Sequence, residues 1–210
     1  MIKRQWLDRG PCPKCGSSDA NVNHQQGYSF CFSCQTRFGD NIVSMPKQET
    51  KPMNTTGTWG ELSDRKISLD TAKKYSTKIK SEGAIITHHL YGYFNEKGEQ
   101  VAHKIRQTKD KRMWTEGDIS DAVLFGQNIF SPKGKYVTIC EGEVDAMSAY
   151  ELMGSKWPAI SIKTGAGSAL RDCKESFRYL DSFDNVVICF DMDKQGQEAA
   201  EQVAQLFAPN

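Results

Sequence analysis

Three apolar, β-branched runs stand in the last third of this chain, and each leads into a stretch with helical spacing. Val137–Cys140 precedes Ala146–Met153, Ala159-Ile160-Ser161-Ile162 precedes Ser168–Leu180, and Val186–Phe190 precedes Gln197–Phe207. Strand, helix, strand, helix, strand, helix is the order of a parallel α/β sheet. Further upstream, Leu90–Phe94 and Gln100–Arg106 flank Asn95-Glu96-Lys97-Gly98, which predicts a hairpin with a glycine-containing turn. Ser68–Tyr75 reads as a short helix with Ser68 as its N-cap. The stretch Lys47–Gly57 is polar and aperiodic, as a flexible linker is expected to be.

The 210 residues are enough for a core plus a small appendage. The expected divisions are a cysteine-rich module over 1–45, a flexible linker over 46–60, an α+β subdomain over 61–133 and a parallel-sheet subdomain over 134–210. No stretch approaches the roughly eighteen apolar residues of a membrane span, so no membrane partner is expected.

The N-terminal module carries Cys12-Pro-Lys-Cys15 and Cys31-Phe-Ser-Cys34, with fifteen residues between the pairs. Each C-x2-C places two thiolates on one tight turn, and two such turns around a hairpin complete a tetrahedron for one structural Zn²⁺. No apolar segment follows Met1-Ile2-Lys3-Arg4, and seven cysteines cannot all pair, so a secreted disulfide framework is disfavoured and a reducing compartment expected. Cys140, Cys173 and Cys189 are read as small structural hydrophobes. The four histidines form no metal spacing of their own.

The net charge of +1 hides an asymmetry. Residues 1–140 hold 21 basic and 14 acidic side chains, and residues 141–210 hold 6 basic and 12 acidic. A basic front and an acidic back suit a protein that grips a polyanion with one part and holds cations with another. The acidic part is organised. Glu141-Gly142-Glu143-Val144-Asp145 follows the first predicted parallel strand and Asp191-Met192-Asp193 follows the third. Ligands bind outside the carboxyl ends of such strands, so both clusters are expected in one crevice. Converging carboxylates repel one another unless cations neutralise them, and hard oxygen donors suit Mg²⁺ or Mn²⁺. Thr164-Gly165-Ala166-Gly167-Ser168 lacks the lysine of a nucleotide-gripping P-loop and reads as a tight strand-to-helix turn.

Glu-Gly-x-x-Asp after one strand and Asp-x-Asp after a later one resemble the TOPRIM signature of primases, topoisomerases and some nucleases. With a zinc ribbon in front, the chain is similar to the primase half of the short-tailed bacteriophage primase-helicases. The likeness also takes in the Lys104–Lys111 stretch, Ala122–Gly126 and Gly165-Ala166. It implies a zinc ribbon that reads a short sequence on single-stranded DNA, with Glu141, Asp145, Asp191 and Asp193 holding catalytic Mg²⁺ or Mn²⁺ and Glu143 a further carboxylate nearby. It also implies that Lys104, Arg106, Lys109 and Lys111 contact nucleotide or template. Arg171, just after the Gly165 turn, is a candidate for a phosphate. Tyr28 is a candidate base-stacking platform, whereas Phe30, Phe32 and Trp114 read as core.

The implied activity is DNA-templated synthesis of short RNA primers from ribonucleoside triphosphates. A replicative helicase and a DNA polymerase are the implied partners, and a monomer in the host-cell cytoplasm is the expected form. Two departures stand out. Gln25-Gln26-Gly27-Tyr28 occupies the place where relatives can carry a histidine, and the sequence stops at Asn210, before the further strand, acidic residue and helicase domain of the family. A non-catalytic template-binding module and a TOPRIM nuclease are therefore the rival expectations.

Overall fold

The computed structural model describes residues 6–17, 20–24, 28–39 and 51–207. The chain divides into two compact units, Met1–Glu49 and Thr50–Asn210.

In the first unit, β1 (Trp6–Gly10), β2 (Asn21–His24), β3 (Ser29–Cys31) and β4 (Thr36–Phe38) pair antiparallel in chain order. One cysteine pair lies between β1 and β2, and the other closes the turn between β3 and β4. Phe32, expected in the core, is instead 57% exposed and meets Phe30 edge-on at 5.0 Å. The reason is local: Cys31 is completely buried, so the next side chain falls on the outside of the turn.

In the second unit, Ser68 accepts from the Thr71 amide and caps α1 (Leu69–Lys74), as its sequence position predicts. A four-stranded antiparallel sheet follows, formed in order by β5 (Thr77–Glu82), β6 (Ile85–Phe94), β7 (Gln100–Gln107) and β8 (Met113–Gly117). The expected hairpin is β6–β7, with Tyr91 opposite Lys104 and His89 opposite Arg106. Then come β9 (Gly134–Cys140), α2 (Glu143–Leu152), β10 (Ala159–Ser161), α3 (Ala169–Glu175), α4 (Phe177–Leu180), β11 (Phe183–Cys189) and α5 (Lys194–Ala204). The helix expected over Ser168–Leu180 is broken at Ser176 into α3 and α4.

The three strands of the second sheet run parallel in the order β10-β9-β11. Val137 and Ile139 face a core made with Ile160, Ile162, Ala169 and Val203. Cys140 and Ala159 join the other core, to which α2 contributes Met147, the antiparallel sheet Tyr91 and Tyr93, and the segment between β8 and β9 Phe125. Both faces of the central strand β9 are thus covered, as a parallel sheet requires. β11 is an edge strand, and Cys189, expected to be buried, is exposed there along with Val187. Among the described residues no helix is long and apolar enough to cross a membrane.

The segment 51–60, expected to be linker, is fastened to the antiparallel sheet; positions 46–50 lie outside the described residues. The Gly117 amide donates to the Lys51 carbonyl at 2.7 Å, and Thr58 exchanges two backbone bonds with Ile79 at 2.9 Å. Thr55 donates to Glu116 from its amide at 2.8 Å and its hydroxyl at 2.6 Å. Gly57 is there for closeness: a Cβ would lie 2.9 Å from the Ile79 carbonyl oxygen.

Burial works to raise the Glu116 carboxyl, yet hydrogen bonds from Thr55 and His103 outweigh it and hold it at about 2. The unfolded value is about 4.3, so the stabilisation is present above that pH and is lost as pH falls toward 2. Amide exchange at Thr55 and Thr58 is therefore expected to accelerate as pH falls from about 4.5 to 2 beyond the intrinsic trend, and Glu116→Gln to flatten that dependence. Identical profiles in the two proteins would show that Glu116 does not fasten the strap.

Candidate active site and cysteine cluster

The connection from β9 leaves toward β10, whereas β11 lies on the opposite side of β9. This is the topological switch point of an open parallel sheet, where a crevice forms at the strand ends. Cys140 and Cys189 are the last registered pair, so Glu141 and Asp191 emerge side by side. The Asp191 amide points to Glu141 Oε2 at 3.4 Å.

Helix starts place the other carboxylates. Gly142 is the N-cap of α2, and Asp145 in the first turn reaches back to bond the Gly142 amide. A Cβ on Gly142 would lie 2.7 Å from Asp145 Oδ2, so the Glu-Gly-x-x-Asp pattern has a steric reason for its glycine. Asp193 caps α5, accepting from the Gly196 amide at 2.8 Å.

The resulting cleft encloses about 380 Å³. Glu141, Glu143, Asp145 and Asp191 line it from the parallel sheet, Lys104, Met113 and Thr115 from the antiparallel sheet, and Thr164 and Gly165 from the loop after β10. Its charges are crowded. Desolvation, then the negative charges of Asp191 and Glu143, push the Asp145 carboxyl above its ordinary value, while the Gly142 amide and the Arg65 guanidinium pull it down. Glu143 is buried, accepts from the Tyr93 hydroxyl at 2.6 Å and is ion-paired with Lys104.

Of the acidic residues singled out in the sequence, Glu141, Asp145 and Asp191 line the cleft together, and Asp193 sits at the head of α5 as its cap. Among the basic ones, Lys104 lines the cleft, while Arg106 is half-buried with its guanidinium near the Tyr91 hydroxyl. Lys109 and Lys111 are exposed in the turn between β7 and β8. Arg171 turns to the buried Asp172 at 3.2 Å and to the Thr164 hydroxyl at 3.4 Å. Trp114 is half-buried and meets His88 edge-on at 5.8 Å. Sequence reasoning missed Arg65, whose charge acts on Asp145 from the turn before α1, and no local motif marks it. It also missed the buried His89, which joins the exposed Asp64 at 3.0 Å to the buried Tyr91 hydroxyl at 3.1 Å.

In the first unit the ligand atoms of Cys12, Cys15, Cys31 and Cys34 all lie within 4.8 Å of one another. Cys12 and Cys34 approach to 3.6 Å, as do Cys15 and Cys31. The Lys14 and Cys15 amides point at the Cys12 sulfur at 3.4 and 3.5 Å. A hydrogen bond with the Thr36 hydroxyl is the chief influence that lowers the Cys34 thiol to about 6, against the opposing effect of burial. Among the described residues this is the one group of three or more such side chains drawn so tightly together; the carboxylates of the cleft are more widely spread. Nearby, the Arg37 guanidinium lies 3.5 Å above the Tyr28 ring.

Gly196 ties α5 to the cleft. A Cβ there would lie 2.2 Å from the Asp191 carbonyl oxygen, a backbone atom that cannot swing aside. Gly196→Ala is expected to cost about 1–3 kcal/mol and to lower Tm by several degrees, because α5 must back away from Asp191. An unchanged Tm in a thermal melt would contradict that packing.

Residues 138–210 match the Toprim-like family. The chain is 32% identical to the DNA helicase/primase of Enterobacteria phage T3 over 219 aligned residues, which cover 96% of this chain and 38% of that protein. It therefore spans well under half the length of that relative. The crystal structure of the primase fragment of the bacteriophage T7 primase-helicase superposes with a TM-score of 0.68 at 32% identity, covering 96% of this chain and 86% of the fragment. The structure of the bacteriophage T7 lagging-strand DNA polymerase with primase domains, bound to an RNA/DNA hybrid and dTTP, gives a TM-score of 0.64 at 34% identity, covering 73% of this chain and 76% of its match. With its cleft at the ends of β9 and β11 and four gathered cysteines ahead of it, this chain belongs to the family of the bacteriophage primase-helicases, matching their primase fragment.

Proposed function

We propose that this chain makes short RNA primers on a single-stranded DNA template, joining ribonucleoside triphosphates in the cleft between the antiparallel and parallel sheets of its second unit. The observation that carries this reading is the meeting of Glu141, Asp145 and Asp191 at a strand-end crevice with a lysine on its opposite wall.

The donor sets fit the expected ions. Four sulfurs around zinc at about 2.3 Å stand about 3.8 Å apart, close to the 3.6 Å approaches within the cluster. Cys12, Cys15, Cys31 and Cys34 would hold one structural Zn²⁺. Glu141, Asp145 and Asp191 offer oxygen donors, and desolvation followed by the negative charges of Asp191 and Glu143 raises Asp145, the condition a divalent cation relieves. Glu141, Asp145 and Asp191 would hold Mg²⁺ or Mn²⁺, with Asp193, the cap of α5, as the further carboxylate of the set. Such an ion, when bound, lowers the pKa of an attacking hydroxyl and neutralises charge on the reacting phosphate.

The chain's own groups do the rest. Lys104 presents its ammonium to the triphosphate, with Arg65 adding positive charge from the turn before α1. Lys109 and Lys111, exposed beyond the end of β7, suit the template backbone, and Arg106 adds to the same field. Arg171, tied to Asp172, steadies Thr164 at the cleft rim. In the ribbon, Tyr28 under its Arg37 cover and the exposed Phe32 provide flat surfaces for unpaired bases, each worth roughly 1–3 kcal/mol. A replicative helicase and a DNA polymerase are the partners this reading implies. The matched T7 structure, in which a polymerase interacts with primase domains, supports the second. A monomer working in the host-cell cytoplasm completes the proposal.

Incubation with single-stranded templates, labelled ribonucleotides and Mg²⁺ or Mn²⁺ is expected to give short oligoribonucleotides. Asp191→Ala should abolish them while leaving the fold and DNA binding in place. Template binding with no synthesis by the unmodified chain would favour a non-catalytic template-binding module, and DNA cleavage a nuclease.

Cys34→Ser is expected to lower zinc content and uncouple synthesis from template sequence, with the second unit still folded. Zinc coordination contributes on the order of 10 kcal/mol to folding such a module. Full zinc occupancy in the variant, read by metal analysis, would sink the four-thiolate assignment.

A further inference from the structure

Glu143 sits inside the acidic motif yet does not behave as a free ligand. It is 4% exposed, and its Oε1 already takes the Tyr93 hydroxyl at 2.6 Å and the Lys104 ammonium. Tyr93 is 1% exposed, so its hydroxyl needs a protein acceptor, and Glu143 is that acceptor. Pairing of Tyr93 with Ala102 and of Tyr91 with Lys104 puts Tyr93 diagonally beside Lys104 on the cleft face of the sheet. The Lys104 ammonium lies 5.7 Å from the Tyr93 ring centroid, and its side chain is only 13% exposed.

We infer that Tyr93 and Glu143 are positioning residues, a buried hydroxyl–carboxylate pair that fixes the Lys104 ammonium at the cleft wall. A lysine stem has four rotatable bonds, and ordering such a side chain costs conformational entropy. Here that ordering is complete before any ligand arrives. The cation is already largely desolvated and lines the same cleft as Glu141, Asp145 and Asp191, where a polyphosphate has to lie. Glu143 cannot turn toward the other carboxylates without leaving Tyr93 unpaired and Lys104 loose, which separates its role from theirs. The inference deepens the proposed primase reading and rests on it for the identity of the triphosphate.

The test is a double-mutant cycle read by ATP binding in Mg²⁺ and by primer synthesis on the same proteins. Lys104→Ala is expected to weaken ATP about tenfold, the loss of one charged hydrogen bond. Tyr93→Phe should weaken it about three- to fivefold and raise KM with kcat little changed, as removal of uniform binding does. Glu143→Gln, which keeps an acceptor for Tyr93 but removes the charge, should resemble Lys104→Ala. In the Lys104→Ala background, Tyr93→Phe should change ATP affinity by less than about twofold, because its effect runs through the missing lysine. A hydroxyl serving stability alone would lower affinity equally in both backgrounds, and that result would overturn the inference. So would wild-type affinity in Tyr93→Phe, or no ATP binding by the unmodified chain. ATP binding with this non-additive pattern but no primers would overturn the primase reading and uphold the inference.

Discussion

The parallel pairing of β9 with β11 brings together charges that repel. Six registered pairs, from Phe183 with Gly134 to Cys189 with Cys140, end with Glu141 and Asp191 adjacent in the cleft. The ladder tolerates this because Val137, Ile139, Ile160 and Ile162 bury one face against α3 and α5, while the other face of β9 packs on α2. Apolar burial fixes where the strands end, and the strand ends fix where the carboxylates are. Short-range relief follows from the same elements: the Gly142 amide for Asp145, the amino end of α2 for both, and Lys104 for Glu143.

Much of this is legible in the sequence because it obeys strong local rules. A strand covered on both faces reads as an unbroken apolar run, and a helix that starts on Gly-x-x-Asp or Asp-x-x-Gly declares its cap. The acidic motifs stand out partly because Asp145 and Asp193 are helix-start residues as well as candidate ligands. The same double use blurs the prediction, since the Asp193 carboxylate is partly occupied at the head of α5. Where only one face of a strand is buried the signal fades, as in β5, whose Lys78, Lys80 and Ser81 conceal a strand that pairs along its whole length with β6. The 51–60 segment misleads for a related reason. Its glycines and threonines look like linker, but they permit close approach to Ile79 and supply donors to a buried carboxylate in a distant strand. Cys189 has the same apolar setting as Cys140 in sequence, and only the strand order puts one at an edge and the other in the centre.

Counting positive charge in the sequence overstates how much is available to a polyanion. Arg112 is paired with Asp110 at 2.6 Å, Arg171 with Asp172, and Lys163 with Glu175 at 2.8 Å while also bonding the Ala122 carbonyl. The remaining cations of interest differ in kind. Lys109 and Lys111 are solvated, so their pull on a phosphate backbone is screened over about 8 Å at physiological salt and acts on any strand alike. Lys104 is held in a cleft largely out of water, where the same unit charge acts through a lower effective dielectric and in one direction. On the proposed primase reading, the first kind would suit a template that must slide, and the second a triphosphate that must stop in register with the carboxylates. That division follows from the alternation along β7 and the turn beyond it: Lys104 and Arg106 point inward to partners on β6 and α2, and the chain past Gln107 carries the remaining lysines out into solvent.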